Sequence, residues 1–191
     1  HIHDISQWHR LVVDIPQTAL LLAEQFWPGP LTMILNKSEL VPMEATAGLY
    51  TVGVRMPAHG VALKLLSLSE VPIAAPSANL SGRPSPTTAQ HVLQDMEGRI
   101  PMILDGGRCD VGVESTVLDL TEVVPVVLRP GGVTVEMLQA VVGQVAIHPN
   151  VMTPLQQGQI TRSPGMKYVH YAPKAPVTLI RGDLRKQVEF I

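Results

Sequence analysis

Three short segments, in fixed order, carry the residue types that could do chemistry. They are APSANLSGRPSP (Ala75 to Pro86), GVESTVLDL (Gly112 to Leu120) and VVLRPGG (Val126 to Gly132). Each gathers hydroxyls and glycines with an arginine or a glutamate where a strand is expected to end. Turns at strand ends of α/β sheets line crevices, so this composition suits an anionic small molecule. A fourth segment, TVGVRMPAH (Thr51 to His59), is an apolar run closed by an arginine.

The chemistry open to these residues is recognition and charge neutralisation. Ser77, Ser81 and Ser85 can donate to phosphate or carboxylate oxygens, and the small residues among them let a ligand approach the backbone. The same stretch also reads as a polar loop that caps its neighbours. Arg55 and Arg129 each end an apolar strand, where a guanidinium can clamp a carboxylate or phosphate with two prongs. Either one alone reads equally as a surface arginine at a strand exit.

Glu114 and Ser115 are neighbours in an expected strand, so their side chains point to opposite faces. That argues against a nucleophile and its base, and Gly-Val-Glu-Ser-Thr is not the G-x-S-x-G elbow of hydrolases. Ser115 is expected to be a ligand donor or a structural serine, and no residue is assigned as a covalent nucleophile. The seven histidines are scattered without H-E-x-x-H or comparable spacing, so no protein-ligated metal is expected. A single cysteine, Cys109, allows no internal disulfide framework and is expected to be a buried or loop thiol. Met33, Met56, Met96 and Met102 are expected in the core.

These groups need a scaffold, and 191 residues with 46% hydrophobic and only 4% aromatic content predict a sheet-and-helix core. The net charge of −2 lacks the basic excess of a domain built to grip nucleic acid. No apolar run approaches the ~20 residues of a membrane helix, and a cytoplasmic location is expected. Asp14 is a plausible N-cap, with Pro16 in the first turn of a helix that Pro28 ends. Strands are expected at 31–35, 51–56, 71–75, 101–104, 115–120, 126–128 and 145–147. Helices are expected at 61–68, from Thr87 through Met96 and from Thr134 through Val142. Mixing helix-linked with hairpin-linked strands predicts an α/β fold with a mixed sheet, parallel and antiparallel. Residues 1–148 form the predicted main domain, 149–176 a linker and lid, and 177–191 the start of a small α/β domain. Lys167, Tyr168, His170 and Tyr171 lie where a lid could fold back over a site.

Together the segments FWPGPLTMIL, TVGVRMPAH, VPIAAPSANLSGRPSPT, GVESTVLDL, VVLRPGG and SPGMKYVHYAPKAP closely resemble the YrdC-like family of threonylcarbamoyl-AMP synthases, in its longer two-domain form. The resemblance runs from about His1 to Pro176. It implies the YrdC-like twisted mixed sheet with flanking helices. It also implies synthesis of L-threonylcarbamoyl-AMP and pyrophosphate from L-threonine, bicarbonate and ATP. The product would pass to the machinery that modifies tRNA next to the anticodon. By resemblance, Thr51, Ser77, Ser85, Arg129, His170 and Tyr171 would contact ATP. His1, Arg55, Ala75 (through its backbone) and Ser115 would surround threonine, and Mg2+ would accompany the nucleotide. The family places a threonine-site segment and a Lys/Arg phosphate segment before the position matching His1. The chain as given is therefore expected to be a fragment cut at both ends, inactive or severely impaired. Three alternatives remain: a double-stranded RNA-binding module without chemistry, a carbamoyl-transfer domain of the hydrogenase-maturation type, and a serine hydrolase.

Overall fold

The computed structural model describes residues 1–151. Five strands form one mixed sheet in the order β2-β1-β3-β4-β5. They are β1 (Leu31–Asn36), β2 (Thr51–Val54), β3 (Thr116–Asp119), β4 (Val126–Arg129) and β5 (Ala146–Ile147). β1 pairs antiparallel with β2 and parallel with β3, β3 and β4 form an antiparallel hairpin, and β5 adds in parallel to β4.

Alternation along these strands gives the sheet two unlike faces. On one face Leu31, Met33 and Leu35 of β1, Val54 of β2, Leu118 of β3 and Val127 of β4 belong to the main core. Helix α1 (Trp8–Leu11), α2 (Gln17–Phe26) and α5 (Val135–Val142) cover it with Trp8, Leu22, Phe26 and Leu138. Burial of each such large side chain contributes about 1.5–3 kcal/mol, which makes this layer the source of most of the fold's stability. The opposite face carries only a small cluster of Ile34, Val117 and Leu128. Thr32 and Ser115 lie on that second face.

The sheet register is interrupted where this matters. Val117 opposes Arg129 while Leu118 opposes Val127, so Leu128 is an extra residue in β4. Such a bulge lets consecutive side chains share a face. Leu128 joins Val117 in the small cluster, and Arg129 follows it onto the same side instead of turning into the helix-covered core.

Helix starts follow their caps. Thr134 accepts from the Met137 N–H, opening α5, and Thr88 accepts from the His91 N–H, opening α4 (Ala89–Met96). Helix α3 (Gly60–Ser69) is capped by the His59 ring, which accepts from the Ala62 N–H. α3 buries Leu66 alone and α4 buries nothing. Among the described residues no helix is long and apolar enough to cross a membrane.

Several expectations are corrected. The segments 71–75 and 101–104 are not strands. Val71 is 55% exposed and Met102 71% exposed, so Met102 is not a core residue. Pro16, not Asp14, occupies the cap position of α2. The remaining expected strands and helices are present with ends shifted by a few residues, as fraying ends usually are.

Candidate functional site

Two tight turns bring the ends of four strands together. In the Phe26-Trp27-Pro28-Gly29-Pro30 turn the Trp27–Pro28 peptide is cis, and the Trp27 indole N–H donates to the Leu31 carbonyl at 2.7 Å. The Gly29 N–H donates to the Met56 carbonyl at 2.8 Å, and the Thr116 N–H donates to the Pro30 carbonyl at 2.9 Å. That turn is thereby stitched to the end of β2 and the start of β3. The second turn, Arg129-Pro130-Gly131-Gly132, lies hard against the same β3 entry. A Cβ at Gly131 would sit 2.3 Å from the Glu114 carbonyl oxygen and 2.4 Å from the Thr116 nitrogen, so only glycine allows this approach. Behind the turn, the buried Thr116 hydroxyl donates to the Val133 carbonyl at 2.5 Å and accepts from the Val133 N–H at 3.0 Å.

Arg55 and Arg129 emerge from this frame on the polar face. Arg55 Nε donates to the Gly29 carbonyl at 2.9 Å. Arg129 Nε and Nη2 both donate to the Ser115 carbonyl, at 3.1 and 2.8 Å, and Nη2 also reaches Ser115 Oγ at 3.0 Å. Ser115 Oγ is in turn 2.8 Å from Thr32 Oγ1. Burial, and after it the positive charge of Arg129, pull the Arg55 guanidinium below its usual pKa. A guanidinium stays charged at neutral pH even when lowered in this way. Both side chains are anchored on the same frame, Arg55 to the Gly29 carbonyl and Arg129 to Ser115, and the ion pair found among the described residues, Arg83 with Asp95, involves neither. Two oriented cations without a counter-ion among the described residues, backed by hydroxyls, have the chemistry to receive a carboxylate or phosphate.

His1 and the segment before Ala75 adjoin the arginine strand through backbone. The Ile2 N–H donates to the Arg55 carbonyl at 3.0 Å, and the Ile73 N–H donates to the His1 carbonyl at 3.1 Å. Ala75 and Ser77 are exposed just beyond. The loop that continues to Ser85 is braced by α4: Asp95 accepts from the Leu80 N–H at 3.2 Å and pairs with Arg83. Asn79 Nδ2 donates to the Leu80 and Arg83 carbonyls at 2.9 and 3.0 Å. Ser85 Oγ and Asn79 Oδ1 are buried and have no hydrogen-bond partner among the described residues. Buried orphans of this kind are rare without a reason, and a ligand is one.

The structure thus brings Arg55, Arg129 and Ser115 into one cluster, with His1 and the 73–75 segment adjoining. Thr51 opens β2 opposite Asn36, on the same face as Arg55 but about 13 Å away at the strand's far end. His170 and Tyr171 lie outside the described residues. Sequence reasoning missed Thr32, which ties Ser115 in place, and the Gly29 carbonyl, which holds Arg55. The only signal for Thr32 was a hydroxyl inside the apolar run LTMIL. Of the two settings expected for Cys109, buried or loop, the structure shows an exposed loop thiol. No group of three or more His, Cys, Asp or Glu that could hold a metal occurs among the described residues.

A family model described as telomere recombination, covering Sua5, YciO and YrdC proteins, matches residues 1–131. The chain belongs to the Sua5/YciO/YrdC family. A second model, the threonylcarbamoyl-AMP synthase C-terminal domain, matches residues 133–190 of this Sua5-type chain. The chain is 53% identical over 192 residues to the threonylcarbamoyl-AMP synthase of Pyrococcus abyssi, covering 99% of itself and 56% of that protein. It is 50% identical over 184 residues to the Bacillus subtilis synthase, covering 96% of itself and 52% of that protein. The chain therefore spans about half the length of the curated relatives it matches. The crystal structure of P. abyssi Sua5 complexed with L-threonine superposes with a TM-score of 0.92 at 53% identity, covering 100% of this chain and 56% of that one. The mixed sheet with its flanking helices is the Sua5/YciO/YrdC fold.

Proposed function

We propose that the protein carrying this chain is an L-threonylcarbamoyladenylate synthase. The observation that carries the reading is the Arg55–Arg129 pair on the polar sheet face, with no ion-paired carboxylate among the described residues and backed by Ser115. The family membership and the threonine bound to P. abyssi Sua5 support it.

The reaction asks for positioning and charge neutralisation. The threonine amine takes up CO2 from bicarbonate to give a carbamate, with loss of water. A carbamate oxygen then attacks the α-phosphorus of ATP, and pyrophosphate leaves. Both reactants are anions, so bringing them together in water is opposed by their charge. Fixed guanidiniums and hydroxyls remove that opposition and hold the attack geometry without reorganising.

In this assignment His1, Arg55, the Ala75 backbone and Ser115 surround threonine. Thr51, Ser77, Ser85 and Arg129 take the nucleotide, with His170 and Tyr171 closing over it. The separation of Thr51 from the arginines along the sheet suits an extended nucleotide. Mg2+ fits as a companion of the nucleotide phosphates, since the described residues offer hydroxyl oxygens and no carboxylate cage. Bound there, it would neutralise phosphate charge. Residues 1–148 would be the catalytic domain, 149–176 the linker and lid, and 177–191 the start of a second domain. The adenylate would pass, in the cytoplasm, to the machinery that modifies tRNA beside the anticodon.

The test is pyrophosphate release from ATP by the full-length natural protein. Release that requires both L-threonine and bicarbonate is expected. Release indifferent to either one contradicts the proposal.

A further inference from the structure

We propose that Thr32 is a positioning residue for the threonine site, turning the Ser115 proton toward the ligand. The inference rests on the reading of Ser115 as a threonine contact.

A serine hydroxyl has one proton to give and two lone pairs to fill. Arg129 Nη2 fills one lone pair of Ser115 Oγ at 3.0 Å. Thr32 Oγ1, at 2.8 Å, is the other partner, and either hydroxyl can be the donor. If Ser115 donates to Thr32, its proton is used up inside the sheet face. If Thr32 donates to Ser115, both lone pairs are filled and the Ser115 O–H points into the site. A carboxylate held by Arg55 offers only acceptors, so its arrival selects the second arrangement. The proton order then runs from Thr32 to Ser115 to the ligand.

Local geometry makes Thr32 fit for this task. Thr32 opposes Val117 on β3, which places it on the same face as Ser115, two residues earlier on that chain segment. Ser115 is only 6% exposed, so water has little access to replace a lost donor. A Cβ at Gly53 would lie 3.1 Å from the Thr32 methyl, so the bare Gly53 backbone is what makes room for that methyl. With the methyl lodged there, and with the stiff χ1 of a β-branched residue, the hydroxyl is held toward Ser115. Thr32 itself need never touch the ligand.

The experiment compares Thr32→Val, which keeps the shape, with Thr32→Ser, which keeps the hydroxyl, in the full-length natural protein. Binding of L-threonine, ATP and inorganic phosphate is measured by calorimetry. Thr32→Val is expected to weaken L-threonine about threefold to tenfold, the worth of one ordinary hydrogen bond. ATP affinity is expected to stay within about twofold, and Thr32→Ser to stay within about twofold of wild type for L-threonine. Unchanged threonine affinity in Thr32→Val overturns the proposal. So does an equal loss in both variants, or a parallel loss of ATP, because either would mark a merely structural role. A wild-type protein that binds phosphate but not L-threonine removes the synthase reading. Thr32 then stands if Thr32→Val weakens phosphate and Thr32→Ser restores it, and falls otherwise. Binding of neither ligand sinks both proposals.

Discussion

Arg129 is useful because a bulge aims it and a carbonyl holds it. One extra residue, Leu128, puts the guanidinium on the polar face, and two donations to the Ser115 carbonyl fix its plane. Lysine keeps the charge but cannot make that paired contact. Arg129→Lys is therefore expected to lower synthase activity about tenfold to a hundredfold, with the fold intact by circular dichroism. Activity within twofold of wild type would mean that charge alone suffices. The two arginines and Ser115 were legible in the sequence because each stands where an apolar run breaks. Thr32 was not legible. A threonine in a strand is an ordinary β-branched residue, and only its partner across the sheet gives it a role.

The site also depends on how its elements meet. Gly131 packs its backbone against residues 114–116, so Gly131→Ala must push the β3 entry outward. A loss of roughly 1–3 kcal/mol in urea unfolding is expected, together with loss of threonine binding. Unchanged stability would show that this turn is not in close contact with the β3 entry. The serine-bearing loop hangs on Asp95 of α4. The hydrogen bond from Arg83 is the main cause that holds the Asp95 carboxyl below the usual carboxylate range. A depressed carboxyl pKa contributes stability above the unfolded value, and the contribution is lost as pH falls through the folded one. The protection of the Leu80 amide, its exchange rate relative to the intrinsic rate at the same pH, should therefore fall as pH drops below about 4, and Asp95→Asn should lower it already at neutral pH. Exchange insensitive to Asp95→Asn would detach the loop from α4. Strands with alternation or a hairpin partner were readable from sequence. The runs 71–75 and 101–104 misled, because an apolar run shows that a segment is fit to be covered, not that a neighbour covers it.

The described molecule is asymmetric in its apolar surface. One face of the sheet is sealed by α1, α2 and α5, while Val61, Leu65 and Leu68 of α3, with Val71, Met102, Leu104, Val111 and Val113, are exposed. Large exposed apolar side chains in such number mark an interaction surface or an aggregation liability where they adjoin. The 191-residue chain alone is expected to bind a hydrophobic dye strongly and to elute above its monomer mass. A monomer that leaves the dye dark would contradict that. For function, the decisive measurement is mass spectrometry of the nucleotide products made by the full-length natural protein from ATP, L-threonine and carbon-labelled bicarbonate. The account predicts a threonylcarbamoyl adenylate that carries the label, with pyrophosphate released in equal amount. A folded protein that binds ATP yet yields no labelled adenylate would contradict it.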